Sequence, residues 1–323
     1  MLRMSDLAPT LELMDDDLLS VRVAELYYDE NKTQDEIGSL LKISRWKAGR
    51  LLTHARERGI VRIEIVHPRA RRLALESQLR ERFDLRDAVI VPAPDHEVGI
   101  TDRVAQAAAD YLTQLRPAPR TLGVSWGRTL DAIADELPVG WTTGVTVVQI
   151  NGGVSRNRLG TAATLATTIA QRGRGSAVLL PSPAILERVE TKRAIEADRT
   201  VADVLALAGT ASAYLYSAGV ADATSVLVES GYLTPGDVGE LVRKGAVGDV
   251  VGRYIDATGT IVDARLDERT VGLGLDELRS AETAIFVVAG NSKHRVARAV
   301  VTSGLCTVLV SDENTARALL EDE

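Results

Sequence analysis

The sequence predicts an α/β protein in two parts: an N-terminal winged helix-turn-helix and a larger Rossmann-like α/β domain. Three observations lead there. The chain has 323 residues, 45% of them hydrophobic and only 4% aromatic, enough for two domains with small, tightly packed layers. Between Leu18 and Pro68, three short helical periods are followed by one period-2 run. Beyond Leu85, apolar β-branched runs alternate with helical segments, the pattern of a parallel sheet with crossover helices. The single cysteine, Cys306, excludes an internal disulfide and a cysteine-based zinc site and reads as a buried thiol. No apolar stretch approaches the ~20 residues of a membrane span. The acidic opening MLRMSDLAPTLELMDDD does not have the makings of a signal peptide. The expectation is a cytoplasmic protein with no membrane partner.

Residues 1–17 are expected to be flexible or disordered. Leu18–Tyr28 reads as a first helix, with Leu18, Val21 and Leu26 apolar. Thr33-Gln34-Asp35-Glu36 matches a capping box, opening a second helix that buries Ile37, Leu40 and Leu41. After the turn at Lys42-Ile43, Ser44 caps a third helix that ends at Gly59. Ala48, Leu51, Leu52 and Ala55 form its inner face, while Arg45, Trp46, Lys47 and Arg50 project outward. In a helix-turn-helix this first part of the recognition helix meets base edges, and helix ends hold phosphates. Arg45, Trp46, Lys47 and Arg50 are therefore candidate base readers, although Trp46 could also be core. Thr33, Gln34 and Ser44 are candidate phosphate contacts. Ile60–His67 alternates as a β-wing, completing a DNA-binding domain over 18–68. Charge agrees: between Lys42 and Arg72 ten bases face only Glu57 and Glu64, in a chain of net charge −7. Arg69–Phe83 reads as a helix, giving a connector over 69–85 used in dimer contacts.

The body, residues 86–323, is expected to place strands at Ala88–Val91, Thr121–Ser125, Val145–Ile150, Ala177–Leu180, Ala213–Ser217, Ala284–Ala289 and Thr307–Val310. Helices are expected at Asp102–Leu115, Arg128–Leu137, Ala162–Arg172, Thr200–Leu207, Asp237–Gly245, Lys293–Ser303 and Glu313–Leu320. In such sheets ligands sit beyond the carboxyl ends of strands. The loop Gly123-Val-Ser125-Trp-Gly127-Arg128-Thr129 joins a strand end to a helix start and offers Ser125, Gly127, Arg128 and Thr129 to an anion. It is neither a Walker loop nor a dinucleotide fingerprint, and a plain tight turn is the alternative. Asn151-Gly152-Gly153 and Gly290-Asn291-Ser292-Lys293 are two further donor-rich strand ends. The glycine-dense run from Gly245 to Asp256 contains Asp249, a candidate hydroxyl acceptor. Together they suggest a small polyhydroxylated anion, with phosphate and carboxylate both open, and no cofactor or metal.

The ordered set TQDEIGSLLKISRWKAGRLL, GIVRIEI, GVSWGRTL, VVQINGG, GAVGDVVGRYID, VAGNSKH and SDENTARALL resembles the SorC family of bacterial sugar-binding transcription regulators, over roughly Leu18 to Leu320. The resemblance implies a body similar to phosphosugar isomerases, a phosphorylated sugar or polyol as effector, and homodimers or homotetramers on double-stranded operator DNA. It also implies phosphate binding by Gly127, Arg128 and Thr129, with Asn151, Gly152, Gly153, Asp249 and Lys293 lining the rest. Two places depart from the family pattern: Ala218-Gly219-Val220 replaces Gly-Ile-Gly, and the recognition helix carries Ala48-Gly49 where a larger apolar residue and then a polar one are commoner. The rival reading is a sugar-phosphate isomerase or deaminase carrying a DNA-binding head. Such chemistry needs a positioned base. Of His54, His67, His96 and His294, only His294 lies near a candidate loop, and Lys293 is the one good Schiff-base candidate.

Overall fold

The computed structural model describes residues 16–61, 71–93, 99–153 and 162–321. The chain divides into two compact units, residues 1–66 and 67–323.

The first unit contains α1 (Asp16–Tyr28), α2 (Gln34–Leu41) and α3 (Arg45–Glu57). Helix α1 begins inside the stretch expected to be flexible, because Asp17 is tied to α3: its carboxylate lies 2.7 Å from His54 Nε2 and accepts Arg58 Nη2 at 3.2 Å. Residues 1–15 lie outside the described residues. The α2 capping box forms as expected, Thr33 Oγ1 accepting the Glu36 amide while Glu36 accepts the Thr33 amide at 2.8 Å. Leu19, Val23 and Leu26 of α1 meet Ile37 of α2 and Ala48, Leu51, Leu52 and Ala55 of α3. Of the expected α1 residues Leu26 is buried, but Leu18 and Val21 are exposed and Leu19 and Val23 take their place, and the short α2 turns Leu40 outward. The α2–α3 turn passes so close to α2 that a Cβ on Gly38 would lie 2.8 Å from the Ile43 carbonyl oxygen. Ile60 and Val61 pack on this core; the rest of the expected wing, residues 62–67, lies outside the described residues.

The second unit opens with α4 (Leu73–Phe83), β1 (Asp87–Val91), α5 (Ile100–Gln114), β2 (Thr121–Val124), α6 (Arg128–Glu136), β3 (Thr146–Gln149), α7 (Ala162–Arg172) and β4 (Ser176–Val178). It continues with α8 (Val189–Ala197), α9 (Arg199–Gly209), β5 (Ala213–Tyr216), β6 (Ala218–Val220), α10 (Val226–Glu229), α11 (Pro235–Arg243), β7 (Gly248–Val250) and β8 (Arg253–Ile255). It ends with α12 (Ala264–Asp267), α13 (Leu275–Arg279), β9 (Ala284–Val287), a 3-10 turn at Asn291–Lys293, α14 (His294–Thr302), β10 (Val308–Asp312) and α15 (Glu313–Leu320).

Seven strands form one parallel sheet in the order β1-β10-β9-β5-β2-β3-β4. Side chains alternate between its faces. Ala213, Leu215, Ile285, Val287, Val308 and Val310 pack under α5, α6 and α7. Tyr214, Tyr216, Ala284, Phe286 and Leu309 pack under α9, α13, α14 and α15. Both faces are covered, which is why these strands read as continuous apolar runs. Cys306 is buried among the second set, as expected of a structural thiol.

The sequence expectation lacks the short helices α10, α12 and α13, of four or five residues, and differs further in three larger parts. A small antiparallel sheet, β6-β7-β8, branches from the end of β5; its strands of three residues are too short to carry a periodic signal. Helix α8 buries no residue and so has no apolar stripe to find. The expected connector over 69–85 is instead built into the body. Its helix starts at Leu73, Leu79 is fully buried, and α4 packs on β1 and α15. The residues before it cap the outer edge of β1. The Arg72 amide donates to the Ile90 carbonyl (2.8 Å), Glu76 accepts the Ile90 amide (2.9 Å), and Arg71 donates to Glu76 and to the Ala88 carbonyl. An exposed parallel edge is thereby closed to further strands.

Candidate functional site

The order of strands reverses between β5 and β2, since the chain winds to β3 and β4 on one side and to β9, β10 and β1 on the other. Ligands of open α/β sheets bind at such a switch point, and a cleft of about 170 Å3 lies there. That is smaller than the ~300–1,000 Å3 of drug-sized sites and suits a ligand of few atoms.

Each wall follows from local structure. Beyond β2, Gly127 adopts φ +138°, open to glycine alone, and turns the chain into α6. The first amides of α6 lack intrahelical acceptors, and Ser125, Gly127, Arg128 and Thr129 line the cleft beside them. Arg128 is half-exposed and loosely held, with Nη2 3.4 Å from the Thr224 carbonyl and Nη1 4.0 Å from Glu229. Beyond β3 and β5, Asn151 and Ser217 enter the cleft. Asn151 Oδ1 and Ser217 Oγ are buried without a hydrogen-bond partner among the described residues.

From the small sheet comes Asp249, 8% exposed, its Oδ2 accepting the Gly252 amide at 3.1 Å. Its carboxyl lies over Gly219 of β6, where a Cβ would sit 2.0 Å from Oδ1. Glycine there leaves room for the acid, which resolves the Ala218-Gly219-Val220 departure: the loop is a strand, and it lines the cleft. Lys293 closes the far wall after β9. Burial raises Asp249 to about 6, with the Gly252 amide and Lys293 pulling it back. Burial lowers Lys293 to about 8, Asp249 opposing that shift and Arg128 adding to it. The cleft thus combines two cations, one acid easily protonated, and two unpaired polar atoms.

Seven of the nine expected ligand residues meet in this cleft; Gly152 and Gly153 do not. Their backbone is engaged: the Gly152 amide donates to Val271, its carbonyl accepts Trp126 Nε1 (2.8 Å), and the Gly153 carbonyl accepts the Tyr232 hydroxyl (2.9 Å). A Cβ on Gly152 would lie 2.2 Å from the Pro183 oxygen. This glycine serves a close backbone crossing. Ser292, in one of the donor-rich loops, also lines the cleft; sequence reasoning missed Trp126, Ser217, Asp222, Thr224 and Ser225. Serine and threonine beside strand ends were the available signal, but it is shared with ordinary turns. His294 does not line the cleft, and its buried Nε2 has no partner among the described residues.

In the first unit, Arg45, Trp46, Lys47 and Arg50 all border one groove with Gln34 and Gly49. Trp46 is 85% exposed, so the core alternative is excluded. Arg45 stands 3.6 Å from Asp35 with both groups exposed, a pairing of little strength. The Thr33 and Ser44 hydroxyls are engaged as helix caps. Arg71 and Arg72, counted in the basic segment, are paired with Glu76 and Glu313 in the body.

A switch-point cleft in an α/β body, carried on one chain with a three-helix unit whose outer face is cationic, defines the class of ligand-responsive transcription regulators. Comparisons agree. The Sugar-bind family model matches residues 67–321. The deoxyribonucleoside regulator of Bacillus subtilis is 34% identical over 307 residues, 94% of this chain and 97% of that protein. The transcriptional regulator LsrR of Klebsiella pneumoniae is 30% identical over 96% of this chain and 94% of its own. The crystal structure of the full-length sorbitol operon regulator SorC from Klebsiella pneumoniae superposes with a TM-score of 0.72 at 27% identity, covering 95% of this chain and all of that one. The chain belongs to the SorC family of transcription regulators, whose body is the Sugar-bind domain. Among the described residues no helix is long and apolar enough to cross a membrane.

Proposed function

We propose that this protein binds operator DNA through a winged helix-turn-helix over residues 18–68 and senses a phosphorylated sugar or related polyol in the switch-point cleft. It works in the cytoplasm as a homodimer or homotetramer, as a repressor and not as an enzyme. The observation that carries the sensor reading is the pair of buried, unpartnered atoms Asn151 Oδ1 and Ser217 Oγ beside Arg128 and Lys293. Unmet polar atoms at this depth call for hydroxyls, and the two cations with the α6 amides call for an anion. Relatives named deoxyribonucleoside regulator and erythritol catabolism regulatory protein support a small polyol effector. On the DNA side, α3 has no acid in its first turn and presents Arg45, Trp46, Lys47 and Arg50 outward. Bound effector favours one arrangement of subunits and so sets the spacing of paired recognition helices, which must match half-sites about one DNA turn apart.

The test is fluorescence anisotropy with a labelled duplex from upstream of the protein's own gene, against a scrambled duplex at equal salt. A panel of sugar phosphates is added to each. Specific binding that shifts with one sugar phosphate is expected. Arg128→Ala is expected to abolish the shift and leave ligand-free binding intact, because Arg128 holds no structural partner closer than 3.4 Å. No preference for the upstream duplex, with a sugar phosphate consumed, would favour the enzyme.

A further inference from the structure

Gly49 leaves a gap in the middle of the outward face of α3, between Trp46 and Arg50. Residues 45, 46, 49, 50 and 53 form one stripe at helical spacing, and all five border the same groove. The gap is filled from the neighbouring helix. If Gly49 carried a Cβ, it would stand 3.3 Å from Gln34 Oε1, 3.7 Å from Cδ and 3.8 Å from Nε2. The Gln34 carboxamide therefore lies against α3 at the place where a reading side chain would otherwise stand. It is half-buried, borders the groove and forms no side-chain hydrogen bond among the described residues, so its donor and acceptor are uncommitted. Gln34 is also the first residue of α2, where the Thr33 capping box fixes the backbone from which its side chain starts.

We infer that Gln34 reads a base edge rather than a phosphate, and that Gly49 positions it. The chemistry selects the base: a carboxamide matches the N6 donor and N7 acceptor of adenine in the major groove, whereas the neighbouring Arg45 and Arg50 match guanine. The recognition surface then spans two helices. This inference rests on the reading of α3 as the helix that enters the groove.

Selection from a randomised duplex library with the full-length protein, followed by anisotropy at several salt concentrations, tests it. Gln34→Ala is expected to lose discrimination at one A·T position per half-site by about five- to a hundredfold. Binding to scrambled DNA and the salt slope stay the same, since no charge is removed. Gln34→Glu is expected to shift that position toward cytosine. Gly49→Ala, which improves helix propensity and so keeps the unit folded, is expected to weaken the same position alone by crowding the carboxamide. Equal loss on all sequences, or an unchanged selected site, would overturn the inference and leave Gln34 as a backbone contact or a bystander. If the wild-type protein selects no sequence at all, it is the DNA-binding function that fails.

Discussion

At the scale of single residues, Asp249 and Lys293 decide how the cleft behaves with pH. Asp249 has a folded pKa of about 6, raised above the usual carboxylate value by burial. A raised acid favours the folded state below its unfolded pKa, and that advantage is lost as pH rises from about 4 through 6. Lys293, lowered to about 8, acts at the other end: the cost of its buried charge fades as pH rises from about 8 to 10.5. Ligand-free protein is therefore expected to be least stable between these windows, near neutral pH. Asp249→Asn is expected to raise stability at pH 7 by about 1–2 kcal/mol, less than the full linkage value because Lys293 loses its partner, and to weaken effector binding. Urea unfolding with and without effector at pH 5, 7 and 9 measures both. On the proposed reading, in which Lys293 holds an anionic effector, affinity is expected to fall about tenfold per pH unit above 8; an affinity flat to pH 10 would remove Lys293 from the anion site. The same residues show what a sequence can convey. Asp249, Arg128 and Lys293 were legible as polar groups beside glycines. Gly152 shows the limit, because in sequence a glycine after a strand looks the same whether it admits a ligand or, as here, lies against the Pro183 backbone.

At the scale of elements, long apolar runs made the seven-stranded sheet legible almost strand by strand, whereas β6, β7 and β8 were invisible. Their three-residue strands take their shape from hairpin contacts, such as the left-handed Val251-Gly252 turn with φ of +49° and +85°. The helix before β1 was legible as a helix but not in its role, because edge protection depends on Glu76 reaching a strand fourteen residues away. Glu76 is 4% exposed, accepts the Ile90 amide and pairs with Arg71. Glu76→Ala leaves the buried Ile90 amide without an acceptor, while the part-exposed Arg71 keeps the Ala88 carbonyl and water, and is expected to destabilise the body by roughly 2 kcal/mol. It also frees the β1 edge, so association on heating is expected to appear in light scattering; a variant of wild-type stability would show that the cap is ornamental. In the first unit the corresponding element is the α2–α3 turn. Gly38→Val would drive a side chain into the Ile43 carbonyl, 2.8 Å from where its Cβ must stand. It is expected to abolish DNA binding while leaving the effector-dependent melting of the body in place.

At the scale of the whole molecule, the charge layout was legible in outline and wrong in detail. The run from Lys42 to Arg72 is basic in sequence, but its last two arginines neutralise Glu76 and Glu313 inside the second unit. The cations left for a polyanion are those of the first unit, among them Lys47 and Arg50, for which no acidic partner stands among the described residues. Sequence proximity concealed this because a domain boundary falls inside the run, between residues 66 and 67. The division yields a prediction that no single residue could. Affinity for operator DNA is expected to fall steeply with salt despite a net charge of −7, since local phosphate neutralisation and not net charge sets the slope. Lys47→Ala is expected to reduce that slope by about one and weaken all duplexes alike, whereas Arg71→Ala leaves it unchanged. The effector acts elsewhere: at a hundred times its Kd it is expected to stabilise the 67–323 unit by about 2.7 kcal/mol. Calorimetry should then show two transitions, of which only that of the second unit moves with effector and only that of the first with DNA. Equal shifts of both under either ligand would mean that the units unfold as one body, and that the slope reports the whole molecule rather than its first sixty-six residues.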